Sequence, residues 1–367
     1  MLIFWKASTL FPIITPLKKT RQSMKKTVLA IFTLFAITLA KAQDFRTPVD
    51  YLNFIGKESA AISRNTWNYT KAVAHSKSAR RIDASRKALL KSIQNASKKI
   101  AGLKNGYKGD TEYRDQLLSY LSISEKYIND EYEKIIDMQE VAEQSYDFME
   151  AYIMARDLVN EKINDEVEKL NANQKLFGNK YNIQITDDNS DLSKKMRASN
   201  AVFKYHTEMF LIFFKVNVTD INLMKSIEQK DLNAIQQHAS SLELYANEGL
   251  EKLKTTIPFN KDASLIAATK KALEFYKKEA IELTPKVVSF LMLNQQVEDT
   301  KESLDKKPEK NRTKQEIDNF NNLVKSVNNE ISEYNKLNSK FYQNKIAVNT
   351  EWEQAGEQFI SKHVPKD

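Results

Sequence analysis

The sequence predicts an all-α protein: an elongated bundle of about seven helices, some of them very long and coiled-coil-like. Three observations carry this. The 367 residues include only 7 Gly and 7 Pro, too few turn formers for an all-β or Gly-loop α/β protein. From Asp110 to Phe177 there is neither Gly nor Pro. Apolar residues recur at three- and four-residue steps nearly throughout, which is the period of a helix and not of a strand.

Thr47-Pro48 reads as N-cap and first position of a helix running to about Ser76. A second helix, about Ala79 to Leu103, carries Ile82, Leu89, Ile93, Ala96, Ile100 and Leu103 on one stripe. Gly102, Gly106 and Gly109 mark a turn, and Asp110 or Thr111 caps the third helix. The Gly- and Pro-free stretch to Phe177 reads as one helix, about 100 Å long at 1.5 Å per residue. Tyr181 to Thr186 is the best strand candidate, a short alternating stretch inside a loop. A fourth helix covers about Leu192 to Gln229. Asp231 caps a fifth, ending near Thr256, and a sixth spans about Ala263 to Asp305. Pro285 removes a donor inside the sixth and should kink it. After the charged connector Lys306 to Arg312, the last helix runs from Thr313 to about His363.

The chain hints at an internal helical repeat. Leu103-Lys104, a turn, then Asp110, Leu121 and Ile135-Ile136 recur as Leu253-Lys254, a turn, then Asp262, Leu273 and Val287-Val288. After the turn the offset is constant at 152 residues. The halves would be 43–180 and 190–367 of a single bundle spanning 43–367.

The net charge of +8 invites a nucleic-acid reading, but the first 42 residues hold seven basic side chains and no acidic one. Met24-Lys25-Lys26, an uncharged run from Thr27 to Ala40, and Ala40-Lys41-Ala42 form the layout of a secretory signal peptide, 24–42. The apolar run is short of the roughly 20 residues a spanning helix needs. Residues 1–23, broken by Pro12 and Pro16, read as a mis-assigned upstream start. Cleavage between Ala42 and Gln43 would leave 325 residues of charge +1, so attraction to nucleic acid loses its support. Periplasm, outer surface and medium are the expected locations, with no transmembrane segment in the mature chain.

Ten basic residues and one acid lie between Lys77 and Lys108, followed by 17 acids and six bases from Gly109 to Leu170. One reading has adjacent antiparallel helices lining up complementary flanks, which specifies pairing. The other has Arg80, Arg81, Arg86, Lys87, Lys91, Lys98 and Lys99 forming a face for an anionic partner such as lipid or lipopolysaccharide. Phe203 with Met209, Phe210, Phe213 and Phe214 extends an all-round apolar segment, fit for the bundle core or for an apolar pocket.

Catalytic spacing is not found. The absence of Cys excludes disulfides and thiolate chemistry. His75, His206, His238 and His363 each lack a Glu three residues earlier, so the Glu-x-x-His pattern of bundle metal sites does not occur. Glu140, Glu143, Asp147 and Glu150 share a helix face and read as a solvated acidic flank. No cofactor and no catalytic or metal-binding residue is expected.

Asp44-Phe45-Arg46-Thr47-Pro48-Val49-Asp50-Tyr51, Gly109-Asp110, Asp130-Glu131-Tyr132, Ile135-Ile136-Asp137-Met138, Ala142-Glu143-Gln144-Ser145-Tyr146 and Lys362-His363-Val364-Pro365 carry a resemblance. Over the mature chain the protein resembles a family of uncharacterised exported all-helical surface proteins of Gram-negative bacteria. That resemblance implies export and a surface location, and supplies no activity. The expectation is a non-enzymatic envelope or surface protein acting on other envelope or surface proteins. The alternative is a binder of an apolar or anionic ligand through the bundle interior or the basic helix 77–108.

Overall fold

A computed structural model describes residues 45–142, 145–186 and 190–366. The start at Met24, the leader 24–42 and the cleavage residues Ala40, Ala42 and Gln43 lie outside them. Among the described residues the chain is all α, with nine helices and no strand. They are α1 (Pro48–His75), α2 (Ala79–Ala101), α3 (Glu112–Ala142), α4 (Tyr146–Lys180), α5 (Asp191–Glu228), α6 (Leu232–Thr255), α7 (Ser264–Lys278), α8 (Thr284–Asp305) and α9 (Lys314–His363).

Capping chemistry fixes many of the helix starts. Thr47 and Asp50 form a reciprocal capping box at α1, with Pro48 in the first turn, and Thr313 and Glu316 do the same at α9. Ser78 caps α2 through the Arg81 N–H, and Asp231 caps α6 through two N–H groups.

Two corrections raise the helix count above seven. The single helix expected from Asp110 to Phe177 is two helices, α3 and α4. Ser145 is not helical, and its Oγ accepts the Phe148 N–H at 3.2 Å, so it caps α4. Ser is a good N-cap and a poor interior residue because its hydroxyl competes for backbone groups. The sixth helix is α7 and α8 joined by a π turn, Glu279–Leu283, which ends two residues before Pro285. Pro285 offers no N–H and crowds the turn behind it, and a wider turn relieves both. Tyr181 to Thr186 is irregular chain, not a strand. Asn182, at φ 54°, turns the end of α4, and the Ile183 N–H closes on the Gly178 carbonyl at 2.7 Å. A Cβ on Gly178 would sit 2.8 Å from the Ile183 carbonyl oxygen, so glycine is required there.

The described chain divides into two compact units. Unit 1 comprises 45–132 and 158–192; unit 2 comprises 133–157 and 193–366. The core of unit 1 gathers Tyr51, Ile55, Leu89, Ile93, Ile100, Leu117, Leu121 and Phe177. In unit 2, α5 carries buried residues from Ser199 to Ser226, and Trp352, Tyr276, Ile235, Leu242 and Phe359 of the other helices are almost wholly enclosed. No helix of the described residues is long and apolar enough to cross a membrane.

Candidate functional site

One arrangement occurs in both units. In unit 1, Tyr107 and Asp110 bridge across a tight turn, and Asp110 Oδ2 accepts the Lys180 ammonium at 2.7 Å and the Tyr181 hydroxyl at 3.1 Å. Its Oδ1 takes the Glu112 N–H at 3.3 Å. Above it pack Tyr51, Tyr107, Phe177 and Tyr181, with ring centroids 4.6 Å apart for the last pair. In unit 2, Phe259 and Asp262 bridge the turn, and Asp262 Oδ2 meets Lys362 at 2.7 Å and His363 at 2.9 Å. Its Oδ1 takes the Ser264 N–H at 2.9 Å. Tyr205, Phe259, Phe359 and His363 pack above it. The Lys362 ammonium, Ser264 and His363 hold Asp262 well below the usual carboxylate range. Burial works against Asp110, yet Lys180 and Tyr181 hold it low as well.

The interiors beneath these turns differ. Asp220 of α5 and Glu279 of the π turn converge on Lys345 of α9, with its ammonium 2.7 Å from Asp220 and 3.0 Å from Glu279. The three side chains are 4%, 1% and 16% exposed, respectively. Glu279 Oε2 is buried without a hydrogen-bond partner. Burial, with the Asp220 charge behind it, pushes Glu279 up to about 8, and burial raises Asp220 too. One turn before Glu279, the buried Tyr276 hydroxyl lies 2.8 Å from Asn217 Oδ1 and 2.9 Å from Asn349 Oδ1. Two turns beyond Lys345, Trp352 stacks on Phe213 at 4.3 Å and donates its indole N–H to Thr269 at 3.0 Å. Leu283 and Phe341, one turn along the chain from Glu279 and Lys345, pack with Val287 in an apolar cluster.

Aligning Tyr51 with Tyr205, Asp110 with Asp262 and Phe177 with Phe359 puts Thr66, Tyr127 and Ile163 of unit 1 in the places of Asp220, Glu279 and Lys345. None of the three is charged. Tyr276, Asn217 and Asn349 correspond to Ser124, Ser63 and Val167. At these aligned positions unit 1 holds no counterpart of the three ions. Nor does it hold a π turn there, since α3 is regular helix over the corresponding residues. π turns concentrate at functional sites, and buried ions stabilise less than apolar residues of similar size.

Sequence reasoning missed this cluster, although a signal was present. Phe341, Lys345, Val348 and Trp352 follow four- and three-residue steps, so Lys345 occupies a core position of its stripe. Asp220 does the same between Val216 and Leu223.

The site residues expected from sequence fall mostly into packed or paired positions. Phe203, Met209, Phe213 and Phe214 are buried and Phe210 is half-buried, all packed in the unit 2 core; Phe210 and Phe213 both contact Trp352. On α2, Arg86 is buried and bonds Asp83 and the Ile128 carbonyl; Lys87 pairs with Asp83, and Lys99 with Glu58 of α1. Arg80, Arg81, Lys91 and Lys98 are exposed and ion-pair with none of the described residues. Among the described polar contacts from α2 to α3 are Arg86 to the Ile128 carbonyl and Gln94 to Glu125 at 2.9 Å. Of the acidic flank, the Glu140 and Glu143 side chains lie outside the described residues, and Glu150 accepts the Tyr146 hydroxyl. His206 is buried beneath Gly356, where a Cβ would come 2.8 Å from its Nε2, and burial lowers it to about 4. No group of three metal-ligating side chains gathers among the described residues. The chain matches no family model, no curated protein and no solved structure.

Proposed function

We propose that the protein is exported and works at the cell envelope or surface by contacts with other proteins rather than by catalysis. One observation carries the reading: the leader layout of Met24 to Ala42 stands directly ahead of a self-capped, packed first helix. Phe45 is buried against Tyr51 at 5.2 Å and Phe54 at 5.6 Å, and the cap of α1 comes two residues later at Thr47. The test is N-terminal sequencing of the natural protein with cell fractionation and surface-protease shaving. A chain beginning at Gln43 in the envelope or medium supports export, and an intact leader in the cytosol contradicts it.

The recurring aspartate-anchored turns support a second part of the reading: α1–α4 and α5–α9 are two copies of one helical repeat, in tandem along the sequence. Each copy contributes a first helix bearing a core tyrosine (Tyr51 or Tyr205), a capped second helix, the anchored turn, and a helical hairpin whose return arm carries Phe177-Lys180 or Phe359-Lys362.

One observation favours an anionic lipid surface as an additional partner. Arg80, Arg81, Lys91 and Lys98 stand exposed along α2 with their charge uncompensated by the described residues. Vesicles with and without anionic lipid test it. Salt-sensitive binding to the anionic vesicles alone, lost when the four are changed to Ala, supports the reading; equal binding to neutral vesicles, or none to either, contradicts it.

A further inference from the structure

We propose that Asp220, Glu279 and Lys345 form a proton-binding switch: one exchangeable proton, held by the carboxyl pair, keeps the middle of α9 seated on α5 and the π turn, and its loss loosens that seat. Two carboxylates and one ammonium, all largely enclosed, would leave one negative charge uncompensated if every group were ionised. An uncompensated buried charge is among the most costly features a core can hold. A proton on the pair removes it, and Glu279 Oε2, buried with no hydrogen-bond partner, is where the unprotonated state is least supported.

The surroundings fit a switch rather than a fixed ion pair. The charged and titratable groups acting on Glu279 are Asp220 of α5 and Lys345 of α9, and Tyr276 of α7 feels both acids. α6 and α8 also pack on the π turn and add no charged group to this set among the described residues. Glu279 is raised to about 8, which places the proton's release within reach of ordinary environments. The acids sit on α5 and the π turn and the base sits on α9, so the net charge that develops acts across a helix–helix contact. An exported protein meets the pH of its surroundings directly, but the switch does not depend on where the protein resides.

Trp352 is a built-in reporter, on α9 two turns from Lys345 and stacked on Phe213 of α5. Replacing Trp5 and Trp67 by Phe leaves it the sole tryptophan of the full chain. Its emission, titrated from about pH 6 to about pH 9.5, should show one reversible transition near pH 8. Glu279→Gln, which mimics the protonated acid, should abolish the transition while the protein stays folded by circular dichroism. Asp220→Asn leaves a matched Glu279–Lys345 pair and should move the transition toward acid. A flat titration of the parent overturns the proposal, as does an unchanged transition in Glu279→Gln. Should Glu279→Gln fail to fold, Asp220→Asn decides alone, and an unmoved transition overturns the proposal.

Discussion

Units 1 and 2 share an anchored turn and differ in what lies beneath it. Asp110 and Asp262 each meet a lysine ammonium at 2.7 Å, a backbone N–H two residues on and one further side chain, Tyr181 or His363, and four rings pack over each. Below, unit 1 holds Thr66, Ser124 and Ile163 where unit 2 holds Asp220, Tyr276 and Lys345. Unit 1 has buried charges of its own, Glu58 and Arg86, but none at the positions of Asp220, Glu279 and Lys345. Replacing such a buried ion cluster by apolar residues of similar volume is often neutral or stabilising, so the three ions of unit 2 are weak evidence of a stabilising role.

Four changes break or sharpen this comparison. The largest effect belongs to Lys345→Met. It leaves two buried acids without their cation and should destabilise unit 2 by about 3–5 kcal/mol, whereas Ile163→Met in unit 1, a volume-conserving swap, should cost less than about 1.5 kcal/mol. Urea unfolding with unit-resolved hydrogen exchange separates the two. Trp352→Ala should cost about 3–5 kcal/mol in unit 2 by opening a cavity against Phe213, with a smaller loss for Leu170→Ala, which is only half-buried.

Next comes pH. Folded Glu279 keeps its proton up to about 8, against an ordinary value of 4.5 once unfolded. The folded state thus binds more protons across that window, and stability falls as pH rises through it. Chemical denaturation at a series of pH values should show this slope in unit 2, and Glu279→Gln should remove it. The smallest difference concerns the turns. Asp110→Ala and Asp262→Ala each remove charge-assisted bonds and should each cost about 1.5–3 kcal/mol, with little to tell them apart. A several-fold difference in effect would break the equivalence of the two turns.

Much of the scaffold is legible because it is written locally. Thr47-Pro48, Ser78, Asp231 and Thr313 mark helix starts within a few residues, and the turn before Asp110 recurs before Asp262. The division at Ser145 is not, since one serine in a Gly- and Pro-free stretch is a weak signal against a continuing apolar stripe. Pro285 announces a disruption but not its form, because a kink and a π turn relieve the same clash. The ion cluster stays hidden for a different reason. Asp220, Glu279 and Lys345 come from three separate segments, and each alone looks like a lapse in one stripe. Only packing brings them within 3.0 Å. Charge along α2 is legible only as a run: packing divides it, with Arg86 structural, Lys87 and Lys99 paired, and four of the seven exposed and uncompensated by the described residues.

Segment-resolved hydrogen exchange at about pH 6 and about pH 9, corrected for the intrinsic rate, compares the two interiors most directly. A common scaffold with a proton held only in the second interior predicts that α9 around Lys345 and the π turn lose protection at the higher pH, while α4 around Ile163 and α3 around Tyr127 keep theirs. Equal loss in both units, or no loss around Lys345, would contradict it.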